Sequence, residues 1–163
     1  MSGSGSFGVN YKKSYGTEPV FPPAVLLDKG SCPEGEFLFV KASGAVSQYA
    51  WVVIDKDGNA AQMSQSNDVG QLQVGVAQVA LADGEYAWVF VGGLSGGGVG
   101  VGIKGKVAAS YTSGADLYTT STAGQVSSSS SSPAVKVANV VGVESTTPAA
   151  AVELQSFGPL KIG

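Results

Sequence analysis

Only one stretch of this chain, Val76 to Ala82, has appreciable helix propensity, and it is too short to hold a helix unaided. What recurs instead is a short apolar run closed by a turn former. Phe37-Leu38-Phe39-Val40 is followed by Tyr49-Ala50-Trp51-Val52-Val53-Ile54. Asp57-Gly58 then supplies a reversal, since a tight hairpin needs positive φ angles. Gln71-Leu72-Gln73-Val74 alternates polar and apolar, with Val76 extending the pattern past Gly75. A second Asp-Gly turn, Asp83-Gly84, opens onto Glu85-Tyr86-Ala87-Trp88-Val89-Phe90-Val91. There Tyr86, Trp88 and Phe90 share one face, while Ala87, Val89 and Val91 share the other. A strand apolar on both faces has to be covered on both.

The second half repeats the pattern more weakly at Val99 to Ile103, Asp116 to Thr119, Ala134 to Val141 and Ala150 to Leu154. Short strands at this spacing, joined by Gly-rich or Ser-rich connectors, predict an all-β protein. The expected architecture is a β-sandwich or small β-barrel with short strands and glycine-rich loops, preceded by an extended N-terminal arm. Trp51 and Trp88, each in the middle of an apolar strand, belong in the core on this reading. The serine run Ser127 to Ser132, before Pro133, is expected as an exposed loop.

Residues 1 to 25 read differently from the β-rich module of 26 to 163. Phe7, Tyr11, Tyr15 and Phe21 follow neither a two-residue nor a 3.6-residue period, and Pro19, Pro22 and Pro23 oppose a helix. Disordered tails are usually poor in aromatics, whereas an arm that docks on a neighbour needs them. Phe7, Tyr11, Tyr15 and Phe21 are therefore expected to bury their rings on a partner. Lys12 and Lys13 would add attraction to an acidic surface, weakened by salt. The module is expected to fold without this arm.

Composition narrows the function. The chain has no histidine, no arginine and a single cysteine, Cys32. The side chain best suited to proton transfer near neutral pH is missing, and so is the forked guanidinium that grips phosphates. Charged residues make up 13% of the chain, about half the usual share, and the net charge is −3. An acidic balance with no clustered basic face argues against a nucleic-acid partner. No apolar run approaches membrane-spanning length, and the Met1-Ser2-Gly3-Ser4-Gly5-Ser6 start lacks the features of a signal peptide. Synthesis in a cytoplasm, with no membrane partner, is expected.

The tempting motifs fall short. Gly100-Val101-Gly102-Ile103-Lys104-Gly105 has dinucleotide-binding spacing but no following helix, and no carboxylate near the position that would hold a ribose. As a phosphate loop it has Val107 where a hydroxyl is needed. Close packing of a glycine-rich strand or loop against another backbone is the plainer reading. Asp55, Asp57 and Asn59 begin like a calcium loop that then lacks its glycine and its glutamate, so a hairpin turn is expected. Cys32, in Gly30-Ser31-Cys32-Pro33 with no histidine to activate it, reads as an incidental thiol. No catalytic residue, metal ligand or cofactor is assigned, and the chain reads as a protein that binds or builds rather than an enzyme.

The stretch Val74-Gly75-Val76-Ala77-Gln78-Val79-Ala80-Leu81-Ala82-Asp83-Gly84-Glu85-Tyr86-Ala87-Trp88-Val89 resembles small structural proteins encoded beside the major capsid protein in tailed-bacteriophage genomes. Asp116-Leu117-Tyr118-Thr119-Thr120-Ser121-Thr122-Ala123-Gly124-Gln125-Val126, followed by Val141-Gly142-Val143, resembles a later part of the same pattern. The resemblance spans residues 37 to 143 at most and leaves out the arm. It implies a capsid decoration, or cement, protein on the outer surface of the virion, often trimeric, that clamps neighbouring major capsid subunits. It supplies no catalytic residues. A head-fibre or spike base, and an adhesin-like β module binding carbohydrate through Trp51 or Trp88, are the alternatives.

Overall fold

The computed structural model describes residues 9–19, 24–67, 73–93, 102–109, 111–131, 133–142 and 151–162. Within these residues the protein is all-β, as its apolar pattern predicts. Its eleven strands are β1 (Lys29–Cys32), β2 (Gly35–Ala42), β3 (Trp51–Ile54), β4 (Asn59–Gln62), β5 (Gln73–Ala77), β6 (Tyr86–Gly92), β7 (Lys104–Lys106), β8 (Asp116–Thr119), β9 (Val126–Ser127), β10 (Lys136–Gly142) and β11 (Ala151–Ile162).

Five of them close on themselves. β2 pairs with β4, β4 with β3, β3 with β5, β5 with β6, and β6 returns to β2, giving a barrel of five strands. All the pairings are antiparallel except β2 with β4. A barrel this narrow admits only small side chains, and the sequence supplies them. Leu38, Val40 and Ala42 from β2, Val52 and Ile54 from β3, Ala60 from β4, Ala77 from β5, and Ala87, Val89 and Val91 from β6 form one buried cluster inside. Gly75 continues that row on β5. A Cβ there would lie 2.9 Å from Val89 Cγ2 and 3.2 Å from Ile54 Cδ1.

The intervening residues point outward and are larger. Phe37, Phe39, Trp51, Val53, Val74, Val76, Trp88 and Phe90 make an aromatic outer face, buried under the rest of the chain. The tetrapeptide Tyr-Ala-Trp-Val occurs twice, at 49–52 and 86–89, and the barrel uses both copies alike. Ala50, Val52, Ala87 and Val89 face inward, while Trp51 and Trp88 face outward. This arrangement explains strands that are apolar on both faces: one face fills a barrel and the other lies under a second layer.

That second layer comes from the C-terminal half. β11 pairs with β10 along most of its length, with β7 near its start and with β5 at Lys161↔Gln73. β8 joins β10 and β9 joins β8, while Val107 bridges Val126 and brings the chain after β7 against β9. Ile103, Val107, Leu117, Val126, Val137, Val152, Leu154 and Leu160 from this layer share one core with the barrel's outer face. Gly105 lets the layer close on Trp51, because a Cβ there would come within 2.9 Å of the indole Nε1.

Several expectations change in detail. The strand expected at Val99 to Ile103 forms instead at Lys104–Lys106, with Ile103 buried just before it. Residues 99 to 101 of that stretch lie outside the described residues. Close approach at the glycines is to the Trp51 ring and the Glu153 side chain rather than to backbone. Ser127, expected in an exposed loop, is buried in β9, because its strand pairs with β8; Ser129, Ser130 and Ser131 are exposed as expected. The calcium-like triplet is a turn. Asp55 accepts hydrogen bonds from the Asp57 and Asn59 N–H groups and from the Asn59 amide, at 2.8–3.0 Å, with Gly58 at φ 87°.

Candidate functional site beside the N-terminal segment

The described part of the arm lies on the chain's own module. Tyr11 stacks on Phe37, with ring centroids 4.8 Å apart and an 11° interplanar angle. Tyr15 meets Phe39 edge-on at 5.8 Å. The backbone joins in: the Tyr15 N–H donates to the Tyr86 carbonyl at 2.8 Å, and the Tyr86 N–H donates to the Gly16 carbonyl at 3.0 Å. Val9 packs over Gly30, where any side chain would strike it. The aromatic outer face of the barrel is thus roofed on one side by the C-terminal strands and on the other by residues 9 to 16. Trp88 lies beneath this roof, its buried indole N–H facing the Tyr15 hydroxyl but outside hydrogen-bond geometry. That proximity offsets part of the rise that burial gives the Tyr15 pKa.

Of the residues expected to form a partner-binding arm, Tyr11 and Tyr15 therefore have their receptor within the same chain. Lys12 and Lys13 are exposed, and each holds its ammonium over the adjacent tyrosine ring, at 5.7 and 4.9 Å from the centroids. Phe7 and Phe21 lie outside the described residues.

A small acid network lies at the edge of the segment. Burial, with the charge of Glu34 beside it, pushes the Tyr11 phenol up to about 12. Burial, with a hydrogen bond to Glu34, pushes the Cys32 thiol up to about 11, the reverse of what an activated nucleophile needs. Glu34, taking the hydrogen bond from Cys32, is held below the ordinary carboxylate range. These shifts set the pH behaviour. Tyr11 and Cys32 bind protons more tightly when folded, so their stabilisation is complete below about pH 8.5 and is lost as pH rises towards their folded values. Glu34 contributes above the usual carboxylate range and is lost as pH falls through its lowered value. With no histidine, the melting temperature is expected to stay level between about pH 5 and 8 and to fall on both sides. Cys32→Ala should flatten part of the alkaline fall. A melting temperature that moves by several degrees between pH 5 and 8 would contradict this assignment.

Next to this network the segment borders a polar cleft of about 290 Å³, lined by Tyr11, Lys12, Gln48, Tyr49, Gln78 and Lys104, with Val79 and Gly102 beside them. Gln78 braces it. Its amide donates to the Lys104 carbonyl at 2.8 Å and accepts from the Lys104 N–H at 3.1 Å, and its own carbonyl accepts from Gln48 at 3.3 Å. Tyr49 is held at φ 63°, a left-handed conformation that a bulky side chain adopts only when its surroundings impose it. The Lys106 N–H, donating to the Tyr49 carbonyl at 2.8 Å, is part of that restraint.

No protein family, no curated protein and no solved structure matches this chain.

The sequence marked Tyr11 and Lys12 as part of a partner-binding arm and gave no sign of Gln48, Tyr49, Gln78 and Lys104. No motif links positions so far apart, and only the packing of the N-terminal segment and of β7 against the barrel's loops brings them together. Trp51 and Trp88 line no cleft: they are 0% and 3% exposed. The sugar-binding alternative that depended on them loses its platform.

Proposed function

We propose that the protein is a structural component of a tailed-bacteriophage virion that binds the outside of the capsid and stabilises contacts between major capsid subunits, working as a homotrimer. The observation that carries this reading is the two-sided N-terminal segment. Tyr11 and Tyr15 face inward onto Phe37 and Phe39 and pin the segment to a rigid β body. Its other side presents Lys12 and Lys13, and further along Val25 and Leu27 are 73% and 37% exposed. Exposed aliphatics on a chain with few charged residues suit a face that lies against another protein. The absence of histidine and arginine and the resemblance of residues 74 to 89 to capsid-associated proteins point the same way.

The packing of Tyr11 and Tyr15 alters how this reading is best tested. Deleting residues 2 to 21 would uncover Phe37 and Phe39, so loss of attachment would be mixed with loss of stability. Val25→Asp changes only the outward side, because Val25 is 73% exposed. The variant is expected to melt within about 2 °C of the parent, as exposed substitutions usually do. It should co-sediment with capsids of the phage that encodes it at least about tenfold less tightly, since a valine buried in the contact contributes about 1.5 kcal/mol or more and a carboxylate in its place costs further. Undiminished decoration by this variant would remove the segment from the contact. Failure of the parent protein to decorate capsids at all would remove the function.

A further inference from the structure

We infer that the cleft bordered by Tyr11, Lys12, Tyr49 and Lys104 binds a small carboxylated polyol, a sugar acid of monosaccharide size. Its roughly 290 Å³ matches the liquid volume of about ten waters, enough for a single ring and too little for an extended oligosaccharide. The cleft is assembled from four separate segments, around residues 11, 48, 78 and 104. It is also set in advance, because Gln78 has its amide and its carbonyl engaged and Tyr49 is fixed at positive φ. Side chains held this way lose little freedom when a ligand arrives.

The chemistry of the lining selects the ligand. Lys12 and Lys104 bring two ammonium groups, and none of the described residues lining the cleft carries a carboxylate. Among the described residues the ion pairs are Lys56–Asp57 and Lys136–Asp116, so neither lining lysine is neutralised by direct contact. The nearby acids turn mainly to other groups: Glu34 takes the hydrogen bonds of Cys32 and Tyr11, with the Lys12 charge a lesser influence on it, and Glu153, opposite Lys104 in the β7–β11 register, accepts from the Gly102 N–H at 3.3 Å. Two like charges in one cleft are relieved by an anion and not by a neutral molecule. The other polar groups, the Gln48 amide and the Tyr49 phenol, are neutral donors and acceptors that suit hydroxyls. Phosphate recognition normally draws on backbone N–H clusters or a guanidinium fork; the chain has no arginine, and among the described lining residues the Gly102 and Lys104 N–H groups are already bonded to Glu153 and Gln78.

The test compares methyl β-glucuronide with methyl β-glucoside, which differ by a carboxylate, and with inorganic phosphate at matched ionic strength. Amide shifts of the isotopically labelled full chain report binding. The glucuronide is expected to shift Gln48, Tyr49, Gln78 and Lys104 saturably, and the glucoside to bind at least about fivefold more weakly. Lys12→Gln and Lys104→Gln should each weaken the glucuronide about threefold or more while leaving the melting temperature in place, because neither side chain is buried. Equal binding of the glucoside, or equal binding of phosphate, would overturn the proposal. So would glucuronide binding that ignores both lysine substitutions, or the lack of any saturable shift up to roughly 50 mM.

Discussion

Trp51→Ala is expected to unfold the protein or leave it barely folded. Trp51 is 0% exposed and sits where the barrel meets the C-terminal layer. Its indole N–H donates to the Lys106 carbonyl at 3.0 Å, and its ring lies against Gly105. Its backbone carries the same junction: the Trp51 N–H donates to the Gly124 carbonyl and its carbonyl accepts from Met63. Truncating a buried tryptophan costs about 3–5 kcal/mol, and a carbonyl stripped of its buried donor adds about 1–3. The sum reaches the whole stability of a marginal domain, about 5–15 kcal/mol. A fall in melting temperature of at least about 10 °C follows for a chain of this size. Trp88→Phe supplies the contrast. It removes an indole N–H that has no hydrogen-bond partner, so it should cost clearly less than Trp51→Phe. Thermal denaturation of the three variants would check both statements. A soluble Trp51→Ala protein melting within about 2 °C of the parent would show that this junction is not where the two layers hold together.

Gly75→Val is expected to destabilise the protein strongly, though less than Trp51→Ala and for the opposite reason. Gly75 is buried in the middle of β5, facing Val52 across the ladder with β3, and its missing side chain is what lets the barrel close tightly. Even a Cβ would come within 2.9 Å of Val89 Cγ2 and 3.2 Å of the Phe90 carbonyl oxygen. The Phe90 oxygen is backbone and cannot turn aside. Overpacking a filled core costs about 1–3 kcal/mol and occasionally more; two further methyl groups put this case at the upper end. The specific check is a double-mutant cycle with Val89→Ala. Each change alone should destabilise, one by crowding and the other by leaving a void. Together they should cost less than their sum by about 1 kcal/mol or more, because each relieves the other. Strict additivity in chemical denaturation would mean that Gly75 and Val89 do not share the barrel interior.

The all-β class and most strand positions were legible in the sequence, because side-chain alternation and glycine-terminated turns are local signals. Phe37 to Val40, Trp51 to Ile54 and Tyr86 to Val91 lie in strands, and Gly58 and Gly84 turn at φ 87° and 82° as Asp-Gly reversals require. The two apolar faces of Glu85 to Val91 announced burial on both sides. What they could not announce is which face goes inward. In a five-stranded barrel that choice follows from size: Ala87, Val89 and Val91 fit inside, and Tyr86, Trp88 and Phe90 do not. The arm shows the limit most clearly. Irregular aromatics at Tyr11 and Tyr15 marked a segment that docks, since such rings must leave water, but the signal carries no address. Only the folded chain, with Phe37 and Phe39 lined up on the barrel's outer face and the Tyr86 backbone edge beside them, decided that the receptor lies in the same molecule. The cleft was decided there too. Residues 12, 49, 78 and 104 have no pattern in common along the chain, and they become neighbours through strand pairings whose partners are far apart in sequence. Local periodicity fixes what each strand can be, and long-range closure alone decides what its side chains meet.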